Sequence, residues 1–179
     1  MASGGSHAEP VWPAGLYEYV VVDADLRTVL QDFGINNGLR ISLSDKVQGR
    51  VHGPIPGAMP RDYLKYLADK FGIDWTYDGW TIWISASSET QTEMLPLQGV
   101  SFGDLQRNLS EIGVLDARFQ FRPSADGDVA VVSGPPHYVA TVRQALSALA
   151  AGKAPPPKEI ESKSVVLMRG VSSSTVEFP

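Results

Sequence analysis

The sequence predicts an α+β fold in two small domains, β-α-β-β-α-β-β over residues 16–85 and β-α-β-β-α over residues 93–152. Three observations predict it. Apolar residues switch repeatedly between a period near 2 and a period near 3.6, the marks of strands and amphipathic helices. Gly, Pro and Asp-Gly pairs fall at the switches, where turns need them. A polar stretch over residues 86–92 separates two runs with the same strand–helix–strand order and reads as a linker. Of the 179 residues, 43% are hydrophobic and 20% charged, enough apolar material to fold.

Residues 1–15 read as an expression scar, Met1 to His7, and a start segment. Tyr17 to Val22 is β-branched and aromatic and predicts the first strand, which stops at Asp23-Ala24-Asp25. Asp23 is expected to cap the next helix, because Leu26, Val29, Leu30 and Phe33 then recur at helical spacing as far as Asn37-Gly38. Leu39 to Leu43 and Val47 to Ile55 predict two strands around a polar turn. Pro60 opens a second helix, where its fixed φ suits the first position, with Leu64, Leu67 and Phe71 as its stripe and Gly72 as its stop. Ile73 to Tyr77 and Trp80 to Ile84 form a hairpin around Asp78-Gly79, a favoured two-residue turn.

The second half is smaller. Glu93 to Leu97 is a strand, and Ser101 starts a helix striped by Phe102, Leu105, Leu109 and Ile112 and stopped by Gly113. Arg118 to Arg122 and Val129 to Ser133 form a hairpin around Asp126-Gly127. Gly134-Pro135-Pro136 breaks the strand and sets a last helix, striped by Val139, Val142, Leu146 and Leu149 and ended by Gly152. Residues 153–179 read as a Pro-rich spacer and a tail with one strand, Val165 to Met168. Each half needs its two helices on one face of a small sheet to bury an apolar layer.

Fifteen Lys and Arg against twenty Asp and Glu leave a net charge of -5, the wrong sign for a surface that condenses on phosphates, so no nucleic-acid partner is expected. Cysteine is absent from the sequence, which excludes disulfides, thiolate zinc sites and cysteine catalysis. No apolar run approaches the roughly 18 residues of a membrane-spanning helix.

Gly99-Val100-Ser101-Phe102-Gly103 is a literal G-x-S-x-G, with Asp126 and His137 downstream in the order of a serine hydrolase. A nucleophile elbow sits on a large parallel sheet with a second loop supplying an oxyanion donor, and a domain this small has no room for one. The simpler reading makes Ser101 a helix cap, paired with Asp104 three residues on. No catalytic residue is expected. His52 and His137 stand alone in different halves, and Asp23-x-Asp25 and Asp126-Gly127-Asp128 lack the spacing of a calcium loop, so no metal or cofactor is expected. The glycines flanking Ile55 alternate with prolines, which removes the amides an anion would need.

Aromatic surface remains. Trp75, Tyr77, Trp80 and Trp83 crowd one hairpin, and alternation puts Trp80, Ile82 and Ile84 on one side and Trp83 on the other. Trp83 either packs under a loop or across the hairpin, or docks a partner.

Tyr17 to Ile84 resembles the N0 domain, the secretin-and-TonB short N-terminal domain. The features that match are a capped helix, a strand ending near Val51-x-Gly53, a helix after Pro60 and the Trp75-x-Tyr77-Asp78-Gly79 hairpin. Glu93 to Ala150 is similar to the N1 domain that follows it in type III secretion secretins, most clearly at Val131-Val132-Ser133-Gly134-Pro135-Pro136-x-Tyr138-Val139. The resemblance implies a periplasmic, ring-forming part of an outer-membrane secretin and no enzyme. Its implied partners are further copies of itself, the secretin barrel as a domain or separate subunit, and inner-membrane ring proteins of the secretion system. Two forms fit: the N-terminal portion of a secretin, or a split subunit like those of the rhizobial NolW family, which act in nodulation. The N1 topology is also that of KH domains, yet Asn108 to Gly113 offers no GXXG loop and no basic character. The crowded aromatics make the hairpin of Trp75, Tyr77, Trp80 and Trp83 the candidate for partner docking, and the side-by-side packing of N1 copies that the resemblance implies has Arg107, Glu111 and Arg143 as its candidates. An N0-type signalling domain of a TonB-dependent receptor shares the first half and leaves the second unexplained.

Overall fold

A computed structural model describes residues 9–53, 55 and 58–153. The start segment to His7, Pro54, Pro56, Gly57 and the tail strand expected over Val165 to Met168 lie outside the described residues. In chain order the elements are β1 (Asp23–Asp25), α1 (Leu26–Asn37), β2 (Arg40–Leu43), β3 (Arg50–His52), α2 (Pro60–Phe71), β4 (Ile73–Tyr77) and β5 (Thr81–Ala86). A single 3-10 turn (Ser87–Glu89) leads to β6 (Gln91–Pro96), α3 (Phe102–Glu111), β7 (Gln120–Pro123), β8 (Val129–Gly134) and α4 (Pro136–Lys153).

Two apolar clusters form. The first gathers Leu26, Val29, Leu30 and Phe33 of α1, Tyr63, Leu64 and Leu67 of α2, and Ile82 and Ile84 of β5, all essentially fully buried. The second gathers Leu105 and Leu109 of α3, Ala130 and Val132 of β8, and Tyr138, Val139 and Val142 of α4. Helical stripes and strand alternation thus meet face to face, as the fold class requires.

The first half departs from a single sheet. Strands β2, β5 and β4 lie in that order, β2 parallel and β4 antiparallel to β5, while β1 and β3 pair separately. In the second half β6, β8 and β7 form one antiparallel sheet. The strand expected over Tyr17 to Val22 is not a ladder. Tyr17 makes one bridge to Ala58, and pairing starts only at Asp23. Tyr17, Tyr19 and Val21 still turn inward and Val20 and Val22 outward, so the residues keep strand alternation without a neighbouring strand to bond. Propensity for extended backbone does not supply the partner.

The cap of α1 is also displaced from Asp23. Asp25 holds the extended N-cap conformation and its carboxylate accepts from the Arg27 amide at 2.8 Å. Asp23 already belongs to β1, where Arg50 reaches its two oxygens at 2.6 Å each and His52 Nδ1 lies 3.0 Å away. Those pairs hold the Asp23 carboxyl below its usual range. The strand expected from Val47 shrinks to Arg50–His52, because Gly49 has φ +152 and approaches α2 so closely that a Cβ there would meet the Phe71 ring at 2.8 Å.

The polar stretch expected as a linker is structured. β5 runs through Ala86 and β6 starts at Gln91. Between them Glu89 accepts from the Ala86 amide at 2.8 Å and from the Ser44 hydroxyl, which braces the turn against the end of β2. In the aromatic hairpin Tyr77 pairs with Ile82 and the Asp78 amide donates to Thr81, so Gly79 and Trp80 form the tip in place of Asp78-Gly79. Gly79, at φ +98, takes the conformation that such a tip requires. Ile112, read as the last member of the α3 stripe, lies beyond the helix end and is 51% exposed.

The cap assignment is testable. Asp25→Ala should lower unfolding free energy by about 1 kcal/mol, whereas Asp23→Ala should leave α1 helicity unchanged; circular dichroism during chemical denaturation reads both.

Candidate functional site

The candidate site lies where the two halves meet, and the alternation of β5 builds it. Ile82 and Ile84 enter the first core, so Trp83 and Ser85 face the other way. Registered beside them are Ser42 of β2 and Thr76 of β4, both opposite Trp83. This second face is polar and aromatic. It is nonetheless covered, with Thr76 and Ser85 each only 8% exposed.

The cover is the start of α4. The His137 ring stacks on Trp83 with centroids 4.2 Å apart and planes 14° from parallel. Asp78, at the hairpin turn, fixes the indole: its Oδ2 accepts from Trp83 Nε1 at 2.7 Å, and its Oδ1 accepts from the amides of Trp80 and Thr81 at 2.9 and 2.8 Å. His137 Nε2 lies 3.9 Å from the same carboxylate. Burial tends to raise the Asp78 carboxyl, but the Trp83, Thr81 and Trp80 donors together with His137 outweigh it and hold the group below its ordinary value. Burial pushes His137 down, against the pull of Asp78.

A second clamp comes from the α3–β7 connection. The Arg118 guanidinium sits 4.4 Å above the Trp75 ring centroid and donates to the Trp75 carbonyl at 2.9 Å. Asp116 aligns it, accepting at 3.0 Å from Nε and 2.5 Å from Nη2. Trp12 meets Trp75 edge-on, with centroids 5.8 Å apart. Between the clamps lies a cavity of about 150 Å³ bordered by Thr76, Asp78, His137 and Tyr138. On the β2 side a groove of about 430 Å³ runs between Ser42, Trp83, Ser85, Glu89 and the Pro135-Pro136 start of α4. Thr76 Oγ1, Ser85 Oγ, His137 Nε2 and Tyr138 OH are buried without a hydrogen-bond partner among the described residues. Burial, with help from the Asp116 charge, pushes the Tyr138 phenol up to about 12.

The four hairpin aromatics therefore separate. Trp75 is buried under Arg118, Tyr77 donates to the Gly79 carbonyl at 2.7 Å, and Trp83 lies against His137. Trp83 does face away from the core, but the second half covers it, so it is not an open docking surface. Trp80 stands at the tip, 77% exposed. Of the other surface candidates, Arg107 pairs with Asp104 at 3.4 Å, Glu111 is exposed at the end of α3, and Arg143 is tied to Glu93 of β6 within the same molecule. Ser101 is the N-cap of α3, its hydroxyl accepting from the Asp104 amide at 3.1 Å. Asp126 is exposed in its turn, and His137 meets Trp83 and Asp78. The G-x-S-x-G residues are therefore not assembled as a triad. His137 and Arg118 were missed from sequence because their partners lie in the other half, and no local pattern marks such a contact.

Comparison with known proteins decides the family. Nodulation protein NolW of Rhizobium fredii is 36% identical over 168 residues, which cover 92% of this chain and 72% of that protein. The chain belongs to the NolW family. This NolW-family chain is also 32% identical over 147 residues to the type 3 secretion system secretin of Ralstonia nicotianae, covering 82% of the chain and 26% of the secretin. The resemblance to the N-terminal part of type III secretion secretins therefore holds. Among solved structures, a chain of the Salmonella SPI-1 injectisome assembly InvGN0N1:SpaPQR:PrgHK matches with a TM-score of 0.68 over 78% of this chain and 98% of that one. A chain of the Salmonella basal-body proteins InvG, PrgH and PrgK matches with a TM-score of 0.67 over 75% of this chain and 28% of its own. At 24% identity these two show the shared fold. No protein-family model matches the sequence.

Removing the Arg118 clamp should weaken the junction of the NolW-family chain. Arg118→Ala is expected to cost about 1–2 kcal/mol, from one charged hydrogen bond and one cation–π contact, and to shift tryptophan emission through Trp75. An unchanged denaturation midpoint would show that the clamp contributes nothing.

Proposed function

We propose that the chain is a non-enzymatic, periplasmic, ring-forming subunit or N-terminal portion of a type III secretion secretin, associated with the outer membrane through a barrel-forming partner. One observation carries this reading: the two apolar cores follow each other in N0–N1 order along a chain that aligns with NolW over 92% of its length. In this reading residues 16–85 are the N0-like domain and residues 93–152 the N1-like domain. The described residues contain no helix long and apolar enough to cross a membrane. A solved assembly that carries a similar chain also holds PrgH and PrgK, and inner-membrane ring proteins are the corresponding docking partners proposed here.

The N1-like sheet supplies a surface for neighbouring copies. Its helices lie on one face, and the other presents Met94, 73% exposed and paired in register with Val131, beside Arg122. The helical side with Arg107 and Glu111 of one copy would meet that face of the next, a head-to-tail contact that closes when the rotation allows. Arg143 is the weakest of the three candidates, since Glu93 already holds it. The Ser101 cap argues against hydrolysis: its hydroxyl is engaged at a helix start and faces no assembled base.

A pull-down of the chain from its native envelope should bring a barrel-forming secretin with it; absence of any such chain would remove the ring reading. Ser101→Ala should cost about 1 kcal/mol of stability and leave secretion intact, and lost secretion with an unchanged melting curve would revive an enzymatic role. Trp80→Ala should leave the melting curve unchanged and weaken binding to the periplasmic domains of the inner-membrane ring by roughly tenfold or more, as an exposed anchor residue would. Full binding by that variant would place docking elsewhere.

A further inference from the structure

The junction between the halves is small, polar and incompletely packed, and one titratable ring lies at its centre. His137 stacks on Trp83, and its Nε2 is buried without a hydrogen-bond partner. Cavities of about 150 and 430 Å³ flank it. An imidazolium in this place would have the Asp78 carboxylate, 3.9 Å from Nε2 and beyond hydrogen-bond distance, as its nearest anion. We propose that the Trp83–His137 stack is a proton-sensitive latch: with His137 neutral the two halves hold together, and with His137 protonated they part.

The groups facing His137 decide whether the added proton finds a partner. From the hairpin turn comes Asp78, whose Oδ2 is occupied by the Trp83 indole and whose Oδ1 is occupied by two backbone amides. Closing the 3.9 Å gap from that carboxylate to His137 Nε2 to hydrogen-bond distance would require the ring or the turn to shift out of the stacked geometry. From the 3-10 turn comes Glu89, which accepts from the Ala86 amide and the Ser44 hydroxyl. From the α3–β7 connection comes Asp116, held by Arg118. Strand β2 and the residue after its end bring Ser42 and Ser44; β5 brings Trp83 and Ser85; β4 brings Thr76 and Tyr77; and α4 itself brings Tyr138 and Thr141. None of these carboxylates is within hydrogen-bond distance of His137 Nε2 in the docked arrangement.

The direction follows by linkage. Burial holds the docked imidazole below its ordinary value of 6.5, while the parted one is hydrated. The parted state therefore binds the proton more tightly. Docking is at full strength above about pH 6.5 and is lost as the pH falls through the lowered value. Parting would also uncover Trp83, Thr76 and Ser85, a face that is closed while the halves hold together.

The chain has no cysteine, so Gln31→Cys on α1 and Ser147→Cys on α4, both exposed, place one spin label on each half of the full chain. Distance distributions should show a single docked population at about pH 7.5, and a separated population several-fold larger by about pH 5.5. His137→Phe keeps a stacking ring without the proton site and should stay docked at both values. His137→Ala should be largely separated at both. Native distances that do not change, or a His137→Phe variant that responds as the native chain does, would overturn the latch. Loss of secondary structure over the same range would overturn it too, because the chain would then be unfolding and not parting.

Discussion

A β-strand has two faces, and in this molecule β5 must satisfy both. Ile82 and Ile84 seal the first core from below, pressed against α1 and α2. Trp83 and Ser85, one residue out of phase, form the floor on which the second half stands. A shift of one residue in the β4–β5 register would exchange these sets, placing Trp83 in the core and Ile82 at the junction. The Asp78 turn opposes that shift, since its carboxylate bonds two amides at the tip and the indole of Trp83 together. The position of the second half therefore depends on a hairpin turn in the first.

Much of the fold could be read from the sequence because it rests on local pattern. The stripes of α1, α2 and α4 and the stops at Gly38 and Gly72 need only the chain within one helix, and the structure places them as expected. Tyr17 to Val22 shows where pattern runs out, because extended residues become a ladder only when a neighbour presents its backbone, and that neighbour is a matter of tertiary placement. Asp23 and Asp25 show a finer limit. Both are good cap residues, and the choice between them was made by Arg50, which lies beyond β2 and draws Asp23 into β1.

The candidate site was less legible for the same reason. The four hairpin aromatics were visible as a cluster, but their fates were not, because Arg118, Asp116 and His137 are supplied from the second half. His137 looked isolated along the chain and is isolated from other histidines. What it lacks in sequence neighbours it has in space, a tryptophan at stacking distance and a carboxylate 3.9 Å away.

Magnitudes separate the cores from the junction. Among the described residues the first core buries fifteen apolar side chains and the second eleven, the larger ones contributing roughly 1.5–3 kcal/mol each, so each half has a core of its own. The junction gains about 1 kcal/mol from the ring stack and about 2 from the Arg118 contacts. Against this, burying the hydroxyls of Thr76 and Ser85 and the Nε2 of His137 without partners costs about 1 kcal/mol or more apiece. Burial of the Trp83 and Trp75 rings against the second half adds to the gain, so the net holds the halves together but is small beside either core. Two stable bodies joined by so small a margin can have their relative placement altered by whatever else holds them. In a ring that is the neighbouring subunit and the docking partner, whose contacts need supply only a few kcal/mol to choose one arrangement. On the proposed latch, a margin this small is within reach of a single proton on His137, where the same charge placed against either apolar core would be resisted by the whole cluster.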